Sequence, residues 1–236
     1  MLLAKRGERP KSELLFERFC QERGVKFERI PVVLNVKGGW TPDWEAFPSG
    51  KRIVVEIAQL DPNKNDCRYS GDRSAGIIGA GGTIGQRIRQ KITDKADQLK
   101  ARSAGVVPAM LVVYNNTEVR SYTSPEHVRA AMFGFDTYHI AVPADPSKPG
   151  LLLDRKFGKR ARMTAECNTS LSALAVLEEG SAGDLTLRVY HNFYATPKIK
   201  INGAVLRLAD VEQYALEQAI PGQFRKWVRI EHGLAG

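Results

Sequence analysis

The 236-residue chain carries 35 basic against 26 acidic side chains, a formal net charge of +9, and 43% of its residues are hydrophobic. This composition is ordinary for a globular protein, and no apolar run approaches the twenty residues that cross a bilayer, so we expect no membrane partner. The excess positive charge favours a polyanionic partner, because summed surface charge attracts the opposite sign.

Length and cysteine content indicate the organisation and the compartment. A chain of this size fits one elaborated domain, residues 1–236, better than two independent ones, and no linker divides it. The three cysteines are far apart and show no paired zinc-site spacing, so a reducing cytoplasm is the expected location. The N-terminal MLLAKRG is too short an apolar segment for a signal peptide.

The first predicted element is an amphipathic helix over residues 11–24, KSELLFERFCQERG, which Gly24 ends. Its apolar positions are Leu15, Phe16, Phe19 and Cys20. Glu13 lies near its start and Glu17 one turn later. Both glutamates fit a solvated helix face, and a role for Glu13 in a site is the alternative.

Residues 53–57, Ile-Val-Val-Glu-Ile, predict a strand that is buried on both faces and carries one carboxylate, Glu56. An unpaired buried carboxylate is costly, so a basic partner or an exposed strand end is the plain interpretation. Pro48-Ser49-Gly50 signals a turn, and residues 43–47 then form an antiparallel strand or bend that brings Asp43 towards Glu56. Two converging carboxylates suit Mg²⁺ or Mn²⁺.

A long helix is predicted over residues 84–102, followed by a second buried strand at 105–115. The apolar stripe of the helix is Ile84, Ile88, Ile92, Ala96 and Leu99, and the flanking stripe is Lys91, Lys95, Gln98 and Arg102. The glycine-rich segment 61–85 before it is either a gating loop or flexible padding. Its glycines do not follow the strand directly, so no dinucleotide cofactor is expected.

The Pro42-Asp43 pair, the spacer and Glu56 on an apolar strand resemble the PD-(D/E)XK nuclease superfamily. The resemblance covers about residues 11–115. It implies an α/β fold with a central mixed β-sheet flanked by helices, a restriction-endonuclease-like core with extra C-terminal strands and a hairpin. It also implies that Asp43 and Glu56 hold Mg²⁺ or Mn²⁺, with Glu13 as a further ligand.

The family's lysine, two residues after the glutamate, is replaced here by Ala58. Side chains alternate along a strand, so Gln59 points away from Glu56 unless a bulge intervenes. Lys95, with Lys91 second, is the better candidate for a migrated catalytic lysine, and two ordinary surface lysines are the alternative. An ammonium in contact with Glu56 would support migration.

The remaining chain predicts a short helix capped by Ser124 and a strand at DTYHIAVP. An irregular segment follows at residues 145–162. It carries five basic residues that are candidates for nucleic-acid binding, with a solvated loop as the alternative. These residues are Arg155, Lys156, Lys159, Arg160 and Arg162.

Two further strands are expected at residues 170–177 and 184–195, where His191 is interpreted as structural. Asn202-Gly203 predicts a hairpin. Asp210 and Gln213 suit the start of a last helix over residues 211–219.

Together with the excess positive charge, the resemblance implies a metal-dependent nuclease that hydrolyses phosphodiester bonds in nucleic acid, with DNA favoured. The alternative is a catalytically degenerate nuclease-like fold that binds nucleic acid or a protein partner. An unrelated activity is the third option, and a homodimer is left open.

Overall fold

The computed structural model describes residues 9–30, 44–63, 83–145, 147–199, 211–217 and 226–230. Within these ranges it contains three α-helices: α1 (Lys11–Glu22), α2 (Gln86–Ser103) and α3 (Pro125–Phe133). The described strands are β1 (Lys26–Arg29), β2 (Trp44–Phe47), β3 (Ile53–Leu60), β4 (Ala109–Asn115), β5 (Phe135–Ala141), β6 (Leu151–Lys159), β7 (Leu171–Glu179), β8 (Leu185–His191), β9 (Val211–Leu216) and β10 (Trp227–Arg229).

A mixed eight-stranded sheet forms the centre, in the order β1-β2-β3-β4-β7-β8-β9-β10. The strands β1, β2 and β3 pair antiparallel, whereas β3, β4 and β7 run parallel. The strands β5 and β6 form a separate two-stranded sheet. The predicted α/β class with a central mixed sheet and flanking helices is confirmed. None of the described helices has the length and apolarity that a membrane crossing requires.

The two faces of the sheet are covered by different helices. On one face Val55 and Ile57 of β3 join the core cluster that includes the apolar side of α1. On the other face Val54, Ala58 and Leu60 join the cluster built with α2 and α3. Successive side chains of a strand point to opposite faces, so β3 reads as an almost unbroken apolar run because both faces are buried.

Several predicted elements are confirmed close to their expected bounds. The four apolar positions of α1 are buried, and Gly24 follows the helix with φ +63°. In α3 the Ser124 hydroxyl accepts a hydrogen bond from the His127 amide at 3.5 Å, as expected of its N-cap. The α2 stripe is buried except at Ile84, which precedes the helix and is 48% exposed. Of the glycine-rich segment, residues 64–82 lie outside the described residues.

The prediction of an irregular segment at residues 145–162 is wrong, because Leu151–Lys159 forms β6 and pairs antiparallel with β5. The apolar residues Leu151 to Leu153 are 48–64% exposed, so these three residues of β6 show no alternation of buried and exposed side chains. Its order comes from backbone pairing with a strand before it in the chain. Sequence periodicity reports burial rather than pairing, and therefore missed it.

The predicted last helix at 211–219 is also wrong, because Val211–Leu216 forms β9, parallel to β8. Val211 and Gln213 are buried and the residues after each of them are less so, which is the two-residue period of a strand. Because the inward residue Gln213 is polar, the sequence does not show this period as an alternation of apolar and polar residues. Gln213 bonds to His191 instead of capping a helix. Asp210 and the predicted Asn202-Gly203 hairpin lie outside the described residues.

His191 gives the fold an expected pH dependence. Its Nε2 lies 2.9 Å from Gln213 Oε1 in a buried position, and desolvation lowers the pKa of His191, partly offset by that hydrogen bond. The unfolded chain takes up a proton below about pH 6.5. The folded state resists protonation, so stability that is present above about pH 6.5 is lost as the pH falls through the lowered folded pKa.

We therefore expect thermal melting temperatures to fall between neutral and mildly acidic pH, and to fall less in His191→Gln. The slope decreases without vanishing, because desolvation also lowers the pKa of His127. His139→Gln, which replaces an exposed histidine, is the matched control. An unchanged slope in His191→Gln would contradict the role of this residue.

Candidate active site

Glu56 lies in the middle of β3 and is 1% exposed. It shares its face of the strand with Val54 and Ala58, which pack in the core cluster beneath α2. Removing a carboxylate from water is costly unless a charge or hydrogen bonds compensate it. The position therefore requires a compensating group on the α2 side of the sheet.

Lys95 of α2 provides a compensating charge, because its Nζ forms an ion pair with Glu56 Oε1. The buried neighbours Ile92, Ala96 and Leu99 hold α2 against the sheet, and the Lys95 side chain remains 26% exposed. The predicted contact between Lys95 and Glu56 is confirmed, whereas a catalytic role for Lys95 remains a prediction. Lys91 is partly exposed and forms no ion pair with the described residues.

The packing around Ala58 does not suit a lysine side chain at this position. Ala58 is 3% exposed and belongs to the core cluster formed with α2. A long cationic side chain there would displace core residues and bury a further charge. A lysine that reaches Glu56 from the partly exposed side of α2 avoids both costs.

Gln59 occupies the opposite side of the strand, as predicted for a regular β3. The register between β3 and β4 is continuous from Val54 to Leu60, without a bulge. Gln59 Oε1 accepts a hydrogen bond from the Ser12 amide at 3.0 Å, and Nε2 donates to Asp61 Oδ1 at 2.5 Å. Gln59 thus satisfies an amide in the first turn of α1.

Glu13 is 8% exposed, so its interpretation as part of a solvated helix face is wrong. Its Oε2 forms ion pairs with Arg9 Nε at 3.3 Å and Arg29 Nη2 at 3.2 Å. Glu13 belongs to α1, which covers the face of the sheet opposite to that of Glu56. Its role as a metal ligand remains a prediction. The described residues contain no group of three or more His, Cys, Asp or Glu side chains that could hold a metal ion.

Asp43 lies outside the described residues, which resume at Trp44, the first residue of β2. The next carboxylate, Glu45, accepts hydrogen bonds from Arg52 Nε and Arg102 Nε, each at 2.9 Å. The Arg52 hydrogen bond is the main cause that lowers the pKa of Glu45. Lys95 and Arg102 therefore both reach acidic residues of β2 and β3, which confirms that their stripe borders the sheet.

The predicted nucleic-acid-binding residues divide into two groups. Arg155 and Lys156 belong to β6, and their side chains are not among those that the structure describes. Lys159, Arg160 and Arg162 are exposed, and Arg160 Nη1 donates to Thr83 Oγ1 at 3.4 Å. The latter contact joins the basic segment to the start of α2.

Sequence reasoning missed Arg89, which lies on α2 close to this contact. Arg89 is 5% exposed, and its Nη1 donates to the Ala130 carbonyl at 3.1 Å. The available signal was its spacing, because residues 89, 92, 96 and 99 recur with the period of a buried helix face. Because an arginine is normally expected at the surface, the spacing of Arg89 was not interpreted as burial.

Comparison with protein-family models, with curated proteins and with solved structures gives no match to this chain. The main feature of the site is a carboxylate in the sheet interior with an ammonium in contact. Two arginines lie at the N-terminal side of the same helix: Arg89, which donates to the Ala130 carbonyl, and Arg160, which donates to Thr83.

Proposed function

We propose that this protein is a metal-dependent nuclease that hydrolyses phosphodiester bonds in nucleic acid, with DNA as the favoured substrate. The observation that carries the proposal is the buried Glu56 carboxylate in contact with the Lys95 ammonium. A carboxylate is a preferred ligand of Mg²⁺ and Mn²⁺, and an ammonium offsets charge that grows on a phosphate. The net charge of +9 suits the polyanionic substrate.

Asp43 is proposed as the second ligand, on the basis of chain connectivity. Trp44 pairs with Val55 in the antiparallel ladder, and Asp43 and Glu56 are the sequence neighbours of these two residues. Glu13 is the weaker candidate, because its carboxylate already pairs with Arg9 and Arg29.

The bound cation would polarise the phosphoryl oxygen and make water a better nucleophile. Asp43 and Glu56 would hold it, and the charge of Glu56 would then be compensated without the Lys95 ammonium. The lysine stem is flexible and the side chain is 26% exposed, so the ammonium can turn towards a bound phosphate. Lys95 thus serves the function of the family's missing lysine.

The proposal predicts that Glu56→Gln and Asp43→Asn abolish cleavage of labelled DNA in Mg²⁺ or Mn²⁺, because each removes a ligand charge. Lys95→Ala should reduce the cleavage rate about 100- to 1,000-fold, as expected when one group that stabilises transition-state charge is lost. Lys100→Ala, which removes an exposed lysine from the same helix, is the matched control. Cleavage that persists in both carboxylate variants would overturn the assignment.

A second candidate is a nuclease-like module that binds nucleic acid or a protein without cutting. The direct ion pair favours it, because Lys95 compensates the charge of Glu56 without a metal ion. Binding of nucleic acid that weakens steeply with salt, since counterions are released, but yields no metal-dependent product would select this candidate. Binding together with a metal-dependent product selects the nuclease, and absence of both excludes nucleic acid as the partner.

A further inference from the structure

Arg89 is a buried cation with incomplete hydrogen bonding. It is 5% exposed, its Nη1 donates to the Ala130 carbonyl at 3.1 Å, and its Nη2 has no hydrogen-bond partner among the described residues. A guanidinium has five N–H donors, and a buried donor without an acceptor destabilises the fold. The ring of Phe135, 4.9 Å from the guanidinium carbon, adds a cation–π contact but accepts no conventional hydrogen bond.

Two further arginines increase the positive charge around Arg89. Desolvation lowers the pKa of Arg89, and the charges of Arg160 and Arg162 lower it further. None of the three forms an ion pair with the described acidic residues. Like charges repel, so a negative charge close to the buried Arg89 would stabilise it.

The start of α2 lies beside the same residues. Arg160 Nη1 donates to Thr83 Oγ1 at 3.4 Å, and α2 begins three residues later, after the N-cap Gly85, which has no side-chain cap. The N-terminus of a helix carries a partial positive charge. The hydroxyl, the guanidinium groups and the helix end therefore all favour an anion here.

We propose that Arg89, Arg160 and Arg162, with Thr83, bind one phosphate-type oxyanion. Arginine presents paired donors in a planar fork that matches a phosphate, and threonine hydroxyls commonly add a contact to phosphate oxygens. The buried Arg89 gives this site a fixed, desolvated donor. Exposed basic residues on a flexible surface lack such a donor.

The source of the phosphate is the backbone of nucleic acid, and this part of the inference depends on the proposed function. Arg89 and Lys95 are six residues apart on α2, which corresponds to about 9 Å along the helix axis. Successive phosphates of one strand advance about 3.4 Å along a duplex. A phosphate at Arg89 would thus lie within a few nucleotides of the bond at Glu56 and Lys95, and would set the register of the substrate.

Two measurements on the full chain test the site. The first is the thermal shift caused by inorganic phosphate, compared with chloride at equal ionic strength. The second is the fluorescence anisotropy of a labelled DNA oligonucleotide, measured in the presence of a chelator so that no cleavage occurs. Each is made on Arg160→Ala, Arg162→Ala and Arg89→Met, and on Arg18→Ala, which removes an arginine from α1 on the other face of the sheet.

We expect phosphate to raise the melting temperature of the wild type and of Arg18→Ala, and to leave the three site variants unchanged. In Arg160→Ala the affinity for the oligonucleotide should fall about ten-fold, and the slope of log affinity against log salt should decrease by about one. Arg160 is exposed, so this variant tests the site even if Arg89→Met does not fold.

The results separate the two sources of phosphate. Loss of the phosphate shift with unchanged oligonucleotide affinity would assign the site to free phosphate and overturn the nucleic-acid part. No phosphate shift in the wild type, with equal oligonucleotide affinity in Arg160→Ala and Arg18→Ala, would overturn the site itself. Glu56→Gln should retain both the phosphate-induced thermal shift and the affinity for the oligonucleotide. Failure of the nuclease proposal can therefore be distinguished from failure of the anion site.

Discussion

We expect Lys95→Met to lower the free energy of unfolding by about 3 kcal/mol, because it leaves Glu56 buried without the ammonium that contacts it. Glu56→Leu should cost less. The Lys95 side chain is 26% exposed and can extend its ammonium into solvent, whereas the Glu56 side chain is only 1% exposed. We therefore expect Lys95→Met to lower the free energy of unfolding more than Glu56→Leu does.

The double variant Glu56→Leu/Lys95→Met should recover most of the lost stability, because replacing a buried ion pair by apolar side chains is often neutral or stabilising. Urea unfolding followed by circular dichroism gives the coupling free energy of the pair. Lys100→Met, at an exposed position of the same helix, should stay within about 0.5 kcal/mol of the wild type. A Lys95→Met variant as stable as that control would show that the pair contributes nothing.

The outcome also bears on function, since a pair that can be replaced without loss of stability is not required for folding. If the double variant is stable but cleaves no nucleic acid, the charges serve chemistry. If wild type and double variant both bind without cutting, the pair belongs to the non-cutting module. Stability and cleavage measured on the same variants thus separate the two proposed functions.

The contact between Glu56 and Lys95 could be predicted because burial governs both elements. The strand β3 is covered on both faces, so its apolar run was clear, and the single carboxylate stood out. The helix α2 is covered on one side, so its spacing placed Lys95 beside the buried stripe. The position of Glu56 follows from the pattern of a buried strand, and that of Lys95 follows from the period of a helix. Neither requires knowledge of contacts with residues distant in sequence.

The strands β6 and β9 could not be predicted in the same way. The strand β6 is partly exposed and is ordered by pairing with β5. The strand β9 contains the buried polar residue Gln213, which bonds to His191 of the neighbouring strand. Arg89 escaped prediction because a charged residue on a helix is assigned to solvent unless a partner is visible. In all three cases the deciding contact comes from a residue that is distant in sequence.

Gly85 is a position where a single added methyl group should disturb the backbone of a neighbouring helix. Its φ is +71°, and a Cβ atom there would lie 2.5 Å from the His127 carbonyl oxygen and 2.8 Å from the Ala131 amide nitrogen. Both atoms belong to the backbone of α3, which cannot rotate away as a side chain could. The glycine is thus required twice, by its left-handed conformation and by the close approach of α2 to α3.

We expect Gly85→Ala to lower the free energy of unfolding by about 1–2 kcal/mol through the unfavourable φ and by about 1–3 kcal/mol more through overpacking. Gly24→Ala separates the two terms, because its φ is +63° but an added Cβ meets nothing within 4 Å. In urea unfolding, Gly24→Ala should therefore show only the loss of stability that the unfavourable φ causes.

The same pair of variants links this contact to the proposed anion site. A shift of α2 against α3 would disturb the hydrogen bond from Arg89 to the Ala130 carbonyl, since the two helices supply its two ends. We therefore expect the phosphate-induced thermal shift to weaken in Gly85→Ala and to persist in Gly24→Ala. Equal unfolding free energies in the two variants would contradict the tight contact, because the φ cost alone would then account for both.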